Sequence, residues 1–507
     1  MKLLTPSQAR ELDRVAMDEM GISSETLMGN AGRRIADKAL ELVAKLPNPF
    51  ILVLCGKGNN GGDGFAAASI LFKSKINVKI HSIQSNNVIK SDSLNYYMNC
   101  VALGIPMTYG ENLPEMDYPN LIIDGLMGTG FHGELKTEIV PWIEWINNAI
   151  SKVLSIDIPS GLNGDSGMID PIAVRADSTV TIEAPKIGMI FRNGIDYSGD
   201  IYVADIGFPN YKLSGLNWET IDESLVQSLL KRPKVDSNKF SAGKVLIIAG
   251  SKGMTGAAIL ATYGALRSGS GLTITIAPES LNDIFERSIL EGMTLSLFDD
   301  GSGFLSTKHF EKILEKTSWA DSVILGPGLG REEETQQLIK KLVVSIQKPL
   351  VLDADGLYPF ANAIDELNMR EFPLVITPHS GELSYLTGVN KNNIISTFPE
   401  FMTEFMSKFN HTALVKQVPS CTFNKKEVIV NSSGNPGLAT GGTGDILSGI
   451  IASFIAQGMG LKTASAVASF IHGKASDNLI SEKGYRGQIA SDLFDQIPKI
   501  ISSYEKY

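Results

Sequence analysis

Twelve residues, Gly434-Asn435-Pro436-Gly437-Leu438-Ala439-Thr440-Gly441-Gly442-Thr443-Gly444-Asp445, bring together the ingredients of phosphoryl chemistry. Five of them are glycine, and the apolar run Ile446 to Ile455 that follows reads as a buried helix. A glycine-rich loop entering a helix N-terminus offers unpaired backbone N–H groups and the positive end of the helix dipole, which together bind phosphate. Asp445 stands at the mouth of that site, where an acid would repel the anion. It makes sense as a base that takes a proton from a hydroxyl attacking a phosphoryl group, a task for which an ordinary ionised Asp suffices. The alternative is a plain helix cap, a place Asp favours.

Other strand ends in this half deliver polar side chains. Asp321 to Leu325 runs into Gly326-Pro327-Gly328-Leu329-Gly330, and Leu350 to Leu352 into Asp353-Ala354-Asp355-Gly356. Val375-Ile376-Thr377 runs into Pro378-His379-Ser380-Gly381-Glu382. The strand Lys244 to Ala249 is followed by Gly250 to Ala258, with neither Walker nor dinucleotide spacing, and then by a small-residue helix to Ser268. His379 reads as a site residue because it follows a strand end. Asp353 reads as structural. Asp355 stays open between turn, metal and hydrogen-bonding roles, and Lys416 between phosphate contact and simple exposure.

In the first half, Phe50 to Leu54 ends in Gly56-Lys57-Gly58-Asn59-Asn60-Gly61-Gly62-Asp63-Gly64. Gly56, Gly58 and Gly61 satisfy G-x-G-x-x-G, but the acid expected about 20 residues on is missing. The next strand, Ile76 to Ile83, is followed by Gln84, so an ordinary dinucleotide fingerprint does not fit. Two more strands end alike, in Asp124-Gly125-Leu126-Met127-Gly128-Thr129-Gly130 and in Asp157-Ile158-Pro159-Ser160-Gly161. Convergent loops of this kind are the layout of an open α/β sheet, whose ligands bind beyond the strand carboxyl ends.

These loops need two α/β scaffolds, each a mostly parallel sheet flanked by helices. A chain of 507 residues is long enough for two cores, and 43% hydrophobic with 20% charged residues is an ordinary globular composition. Thr5-Pro6-Ser7-Gln8 carries a capping box, so a helix should run to about Met20 and a second from Ser24 to about Leu46. The strand-loop rhythm lapses from Asn210 to Asp236, which sets the expected domains at 1–215 and 236–507 with a linker at 216–235. The net charge of −10 argues against nucleic acid as a partner. Without a signal-peptide start or a run of about 18 apolar residues, a cytoplasmic protein with no membrane partner is expected. Cys55, Cys100 and Cys421 have no metal or redox spacing and read as buried free thiols. A homo-oligomer is also expected.

The runs Gly58 to Gly64, Asp124 to Gly130 and Asp157 to Gly161, with Ala176 to Thr181 and Lys186-Ile187-Gly188, resemble the N-terminal domain of bifunctional NAD(P)H-hydrate repair enzymes. The resemblance covers about residues 1–210 and implies a Rossmann-like epimerase. It implies a substrate held by Asn59, Asn60, Gly61, Gly62 and Asp63, and by Gly128, Thr129, Gly130, Phe131, His132, Gly133 and Glu134. Asp157 would act as acid/base at its reactive end. Asn60, Asp124 and Ser160 would hold K+, a hard ion suited to oxygen ligands. Gly29 stands where that family usually carries Glu.

Gly326 to Gly330, Val351 to Asp355, Thr377 to Glu382 and Gly434 to Asp445 resemble the ribokinase-like dehydratase domain of the same enzymes over about residues 236–500. The implied hydrate contacts are Ala258, Gly330, His379 and Asp445. The implied ADP contacts are Lys416, Gln417, Val418, Pro419 and Ser420, with Asn435, Gly441, Gly442, Thr443 and Gly444, and Mg2+ beside the phosphates. Gln417 replaces the family's usual Gly, and Asn238-Lys239 lies where a His-Lys pair is common. The implied activity interconverts R and S forms of hydrated NADH and NADPH (NADHX and NADPHX) and dehydrates the S form with ADP, giving AMP and phosphate; ATP is the other candidate nucleotide. The alternatives are a ribokinase-like small-molecule kinase with an N-terminal regulatory domain, or a first half that only binds nucleotide or protein.

Overall fold

The computed structural model describes residues 1–83, 89, 92–110, 113, 118–130, 135, 137–208 and 213–505. Gln84, Phe131 to Glu134, Pro209 and Asn210 lie outside the described residues. The chain divides into one compact unit of Lys2–Asn217 with Ser396–Pro399 and another of Met1, Trp218–Ile395 and Glu400–Tyr507.

The first unit is built on a sheet of seven parallel strands. The chain lays down Phe50–Cys55, Asn77–Ser82 and Met107–Tyr109 toward one edge. It then restarts beside Phe50–Cys55 with Leu121–Gly125 and continues through Lys152–Ile156, Ser178–Ile182 and Asp200–Ala204 toward the other. Alternate residues of the Phe50–Cys55 strand serve two cores, because both faces of such a sheet are covered. Ile51 and Val53 pack with Ala31, Ile35, Phe65 and Leu71, whereas Leu52 and Leu54 pack with Trp142, Ile143 and Ile146. The reversal between Phe50–Cys55 and Leu121–Gly125 is the switch point where ligands of such sheets bind.

The expected N-terminal capping box forms: Gln8 N donates to Thr5 Oγ1 and Thr5 N to Gln8 Oε1, both at 3.0 Å. The helix is α only over Pro6–Arg14 and continues as a π turn at Val15–Glu19, where Met20 N bonds Val15 O at 3.2 Å. The second helix spans Ser24–Val43.

In the second unit seven strands are parallel. Lys244–Ile248, Leu272–Pro278 and Met293–Leu297 build one way, and Ser322–Leu325, Leu350–Leu352, Leu374–Ile376 and Thr412–Val415 the other. Cys421–Asn424 and Glu427–Val430 then add antiparallel. The helix after the glycine loop, Thr443–Ala456, is buried along most of its length and packs on Thr255–Arg267. Backbone approaches backbone there: a Cβ at Gly449 would lie 2.3 Å from Ala261 O, and one at Gly264 would lie 2.5 Å from Ile446 O.

The stretch 216–235, read as a linker, carries a strand at Asn217–Thr220 and a helix at Glu223–Leu229 capped by Asp222. Ile221 and Val226 are buried in the second unit's core, which accounts for the order in a stretch of mixed polarity. All three cysteines are free and buried. Among the described residues, no helix is long and apolar enough to cross a membrane.

Candidate functional site

Each unit gathers polar side chains at the carboxyl ends of its parallel strands. In the first, Asp157 follows the Lys152–Ile156 strand with φ of +64°, a conformation unfavourable for a residue other than glycine. Its Oδ1 pairs with the Lys186 ammonium and accepts from Ile182 N at 3.1 Å. Lys186, 1% exposed, also donates to Thr181 Oγ1 at 3.2 Å and Ile182 O at 3.1 Å. A buried ammonium without such partners would be very costly.

Beside them Asp124 is fully buried. Its Oδ1 accepts from Ser160 Oγ at 2.6 Å and Leu126 N at 3.2 Å, and its Oδ2 from Ser155 Oγ at 2.9 Å and Ser160 N at 3.0 Å. Burial raises the Asp124 carboxyl above the usual range despite these bonds. Asn60 Nδ2 donates to Met127 O at 2.8 Å and Ile156 O at 3.1 Å, which ties the glycine loop to both neighbouring strand ends. Asn60, Ser155, Ser160 and the Met127 and Ile156 carbonyls thus cluster near a carboxylate with no cationic partner among the described residues.

A cavity of about 550 Å³ opens here. Of the residues expected to hold substrate, Asn59, Asn60, Asp63, Gly128, Thr129, Gly130 and Asp157 line it. Gly61 and Gly62 instead serve close packing: a Cβ at Gly61 would lie 1.9 Å from Gly56 O, and one at Gly62 would lie 2.5 Å from Ser93 Oγ. Phe131, His132, Gly133 and Glu134 lie outside the described residues. At Gly29, the space a Cβ would take lies 2.5 Å from the Tyr96 hydroxyl, which donates to Glu25 O. Asp13, from the Pro6–Arg14 helix, also lines the cavity, and sequence reasoning missed it. Burial, then the Asp157 charge, pushes Asp13 up to about 6, and the same two causes, with Asp13 added, push Asp63 well above the carboxylate range.

In the second unit the loop before Thr443–Ala456 is shaped by its own side chains. Asn435 Oδ1 accepts from Gly437 N at 2.8 Å, and its Nδ2 donates to Ser476 Oγ and Asp477 Oδ1 at 2.9 and 3.0 Å. Thr443 Oγ1 donates to Leu438 O at 3.0 Å. Both side chains are therefore turned inward, and the loop offers a ligand its backbone. Gly442 takes φ of +91° to start the helix, and Gly441 faces open space. His472, on the Leu461–Lys483 helix, is buried and bonds the Thr443 backbone; burial lowers it to about 4 and keeps it neutral.

Lys416 is half-buried rather than exposed. Its Nζ donates to Asp353 Oδ1 at 2.8 Å, lies 3.9 Å from Glu382 Oε2, and is 3.4 Å from where a Gly444 Cβ would be. Asp353 Oδ2 accepts from Ser448 Oγ at 2.6 Å, so this aspartate is structural as expected. Burial pushes Asp445 up to about 7, with Asp353 adding, Lys416 opposing, and Asp355 and Glu382 adding again. Asp445 therefore differs from the ordinary ionised Asp that would suffice for the task, in titrating near neutrality.

His379 caps the Ser380–Thr387 helix: its Nδ1 accepts from Gly381 N and Glu382 N at 3.0 and 3.1 Å. Its Nε2 lies 3.7 Å from Glu382 Oε1, on a side chain 57% exposed. Gly330, at φ of +87°, donates its N–H to Asp355 Oδ2 at 3.1 Å, and Arg331 Nε donates to Asp355 Oδ1 at 3.3 Å. Gly330 and Asp355 line a cavity of about 480 Å³ with Ser251 and Lys252. Ala258 is fully buried, so the structure offers it no face for a ligand. Gln417 has a buried amide nitrogen without a partner among the described residues, Val418 is exposed, and Ser420 bonds Ser469 at 2.7 Å. Pro419 follows a cis peptide bond.

Two family profiles match this chain. One, described as NAD(P)H-hydrate dehydratase, covers residues 245–499, and the other, described as YjeF-related protein N-terminus, covers residues 24–188. The bifunctional NAD(P)H-hydrate repair enzyme Nnr of Moorella thermoacetica is 33% identical, over 100% of this chain and 98% of its own. That of Thermofilum pendens is 34% identical, over 99% and 96%. Among solved structures, a ribokinase-like superfamily protein from Enterococcus faecalis aligns with a TM-score of 0.50 at 25% identity, covering 59% of this chain and 100% of its own.

Proposed function

This chain belongs to the bifunctional NAD(P)H-hydrate repair enzyme family, and from that premise we propose how its two units divide one repair. The enzyme interconverts the R and S forms of hydrated NADH and NADPH. It dehydrates the S form back to the reduced nucleotide with ADP, giving AMP and phosphate.

The dehydratase half rests on one observation, the place of Asp445 in the first turn of the helix behind Gly441–Gly444, beside the charged Lys416. Hydroxide leaves poorly from the hydrated ring. Asp445 takes the proton of that hydroxyl, whose oxygen attacks the terminal phosphoryl group of ADP held by the loop N–H groups. AMP leaves as that bond forms; the phosphorylated oxygen then departs as phosphate, pushed by the ring-nitrogen lone pair, and the neighbouring ring carbon gives up a proton as the ring double bond re-forms. Burial alone would discharge Lys416, but Asp353 and Glu382 hold it charged, above the ordinary lysine value, ready to offset phosphate charge. The exposed His379 ring and the Gly330 loop face the hydrate. Mg2+ accompanies the nucleotide and supplies positive charge to its phosphates; we assign it no protein ligand.

In the first unit Asp157 is the acid/base at the hydrated carbon, held by Lys186 and the Ile182 N–H. The all-oxygen set of Asn60, Asp124 and Ser160 suits K+, which would place positive charge beside a buried carboxylate. Asp445→Asn should abolish ADP-dependent recovery of the reduced-nicotinamide absorbance; full retained activity would remove Asp445 from this role. Asp157→Ala that still equilibrates the epimers at the wild-type rate would do the same for Asp157.

A further inference from the structure

Two carboxyls at the cavity that Asp157 lines, those of Asp13 and Asp63, have no hydrogen bond or ion pair among the described residues. Asp157 is committed to Lys186 and to Ile182 N–H, and Asp63 is buried within the Asn59–Lys73 helix. Asp13 comes from a third element, the Pro6–Arg14 helix, and lines the same cavity. It is close enough to Asp157, Asp63 and Lys186 for their charges to interact. No hydrogen bond or ion pair ties its side chain among the described residues. The other charged groups at this cavity are Arg10, Lys57, Glu138 and Glu183. Arg10 Nη1 donates to Thr129 O at 3.1 Å. A carboxyl turned toward a substrate cavity and lacking a partner adds little to the fold, and in such a place the neutral acid is favoured.

We propose that Asp13 is the proton donor of the epimerase, working opposite Asp157 as base. The proposal rests on the epimerase reading of this unit. In the hydrate, the carbon that bears the hydroxyl is bonded to the ring nitrogen. Asp157 takes the hydroxyl proton, the carbon–nitrogen bond breaks with its electron pair passing to nitrogen, and nitrogen takes the Asp13 proton as the oxygen becomes a carbonyl. Rotation of the new aldehyde about its carbon–carbon bond presents the opposite face. Nitrogen attacks that face and returns its proton to Asp13, while the oxygen recovers its proton from Asp157. The ring closes inverted, and both carboxyls end as they began, so no co-reactant is consumed. Two carboxyls in unlike environments, one ion-paired and one not, are the arrangement that separates base from acid.

The test uses the full chain and a single hydrate epimer without ADP, with R and S forms separated by chromatography. Asp13→Asn should lower kcat about 100-fold or more, in the range of general-acid contributions, with KM little changed. The wild-type rate should fall as pH rises past about 6, where Asp13 loses its proton, and that limb should vanish in Asp13→Asn. Asp13→Glu should restore part of the rate together with the limb. ADP-dependent dehydration of the S hydrate, carried by the other unit, should stay at the wild-type rate and so report an intact fold. Asp13→Asn with wild-type kcat and an unchanged profile overturns the proposal. If that variant does not fold, a wild-type profile without the falling limb overturns it instead. A wild-type chain that interconverts no epimers refutes the epimerase reading itself, an outcome distinct from an active enzyme in which Asp13 is idle.

Discussion

Lys416 Nζ lies 2.8 Å from Asp353 Oδ1, and these partners pull the neighbouring Asp445 in opposite directions. Burial and Asp353 raise Asp445, Lys416 opposes them, and the balance falls at about 7. Only the ionised form is a base. The ADP-dependent rate should therefore climb with pH through about 7 along a single deprotonation limb. Initial rates across that range check this, and a rate already flat from about pH 5 would contradict it.

The same displacement predicts a stability effect. An acid that titrates higher in the folded chain than in the unfolded one holds its proton more tightly when folded, so ionising it works against folding. That penalty is absent below the unfolded value of 3.8, grows as pH rises, and is complete above about 7. Asp445→Asn avoids it. Its melting temperature should exceed that of the wild type at pH values above about 7, with the gap closing toward pH 4.

Lys416→Met should be costly for a different reason. It leaves the Asp353 carboxylate buried with only hydrogen bonds for company, and breaking a buried pair in this way typically costs about 3–5 kcal/mol. The half-buried position of Lys416 places the expected loss toward the lower end. Urea denaturation measures it. Without the lysine charge, any remaining activity should have its limb shifted to higher pH.

Gly449→Ala tests the helix packing behind the loop. A methyl group there would lie 2.3 Å from Ala261 O and 2.8 Å from Ala265 N, both backbone atoms that cannot swing aside. Overpacking of this kind costs about 1–3 kcal/mol, more than the roughly 1 kcal/mol that Ala gains over Gly in a helix. The urea midpoint should fall; a rise would mean that the helices separate freely.

The glycine loops and strand ends were legible because an apolar run that stops at Gly and Asp marks the carboxyl end of a buried parallel strand. Lys186 was visible as part of a motif, but its pairing with Asp157 links residues far apart in sequence. Asp13 gave no signal, since an acid in an amphipathic helix ordinarily faces water. His379 was read from its strand-end position, and that position also makes it a helix cap, a role a histidine rarely announces. Ala258 was named through resemblance, and its burial follows from packing along the Thr255–Arg267 helix that no local pattern reveals. Asp445 was found, but its proton affinity was not, because Asp353, Asp355 and Glu382 come from other strand ends.

One chain should both interconvert the hydrate epimers and dehydrate one of them. The direct measurement incubates an equal mixture of R and S NADH hydrate with the full chain, ADP, Mg2+ and K+. Chromatography then follows both epimers, NADH, AMP and phosphate. Both epimers should disappear, at a rate well above their spontaneous interconversion, while NADH, AMP and phosphate appear in equal amounts. A stable phosphorylated product, or an R epimer that decays only at its spontaneous rate, would contradict this division of labour.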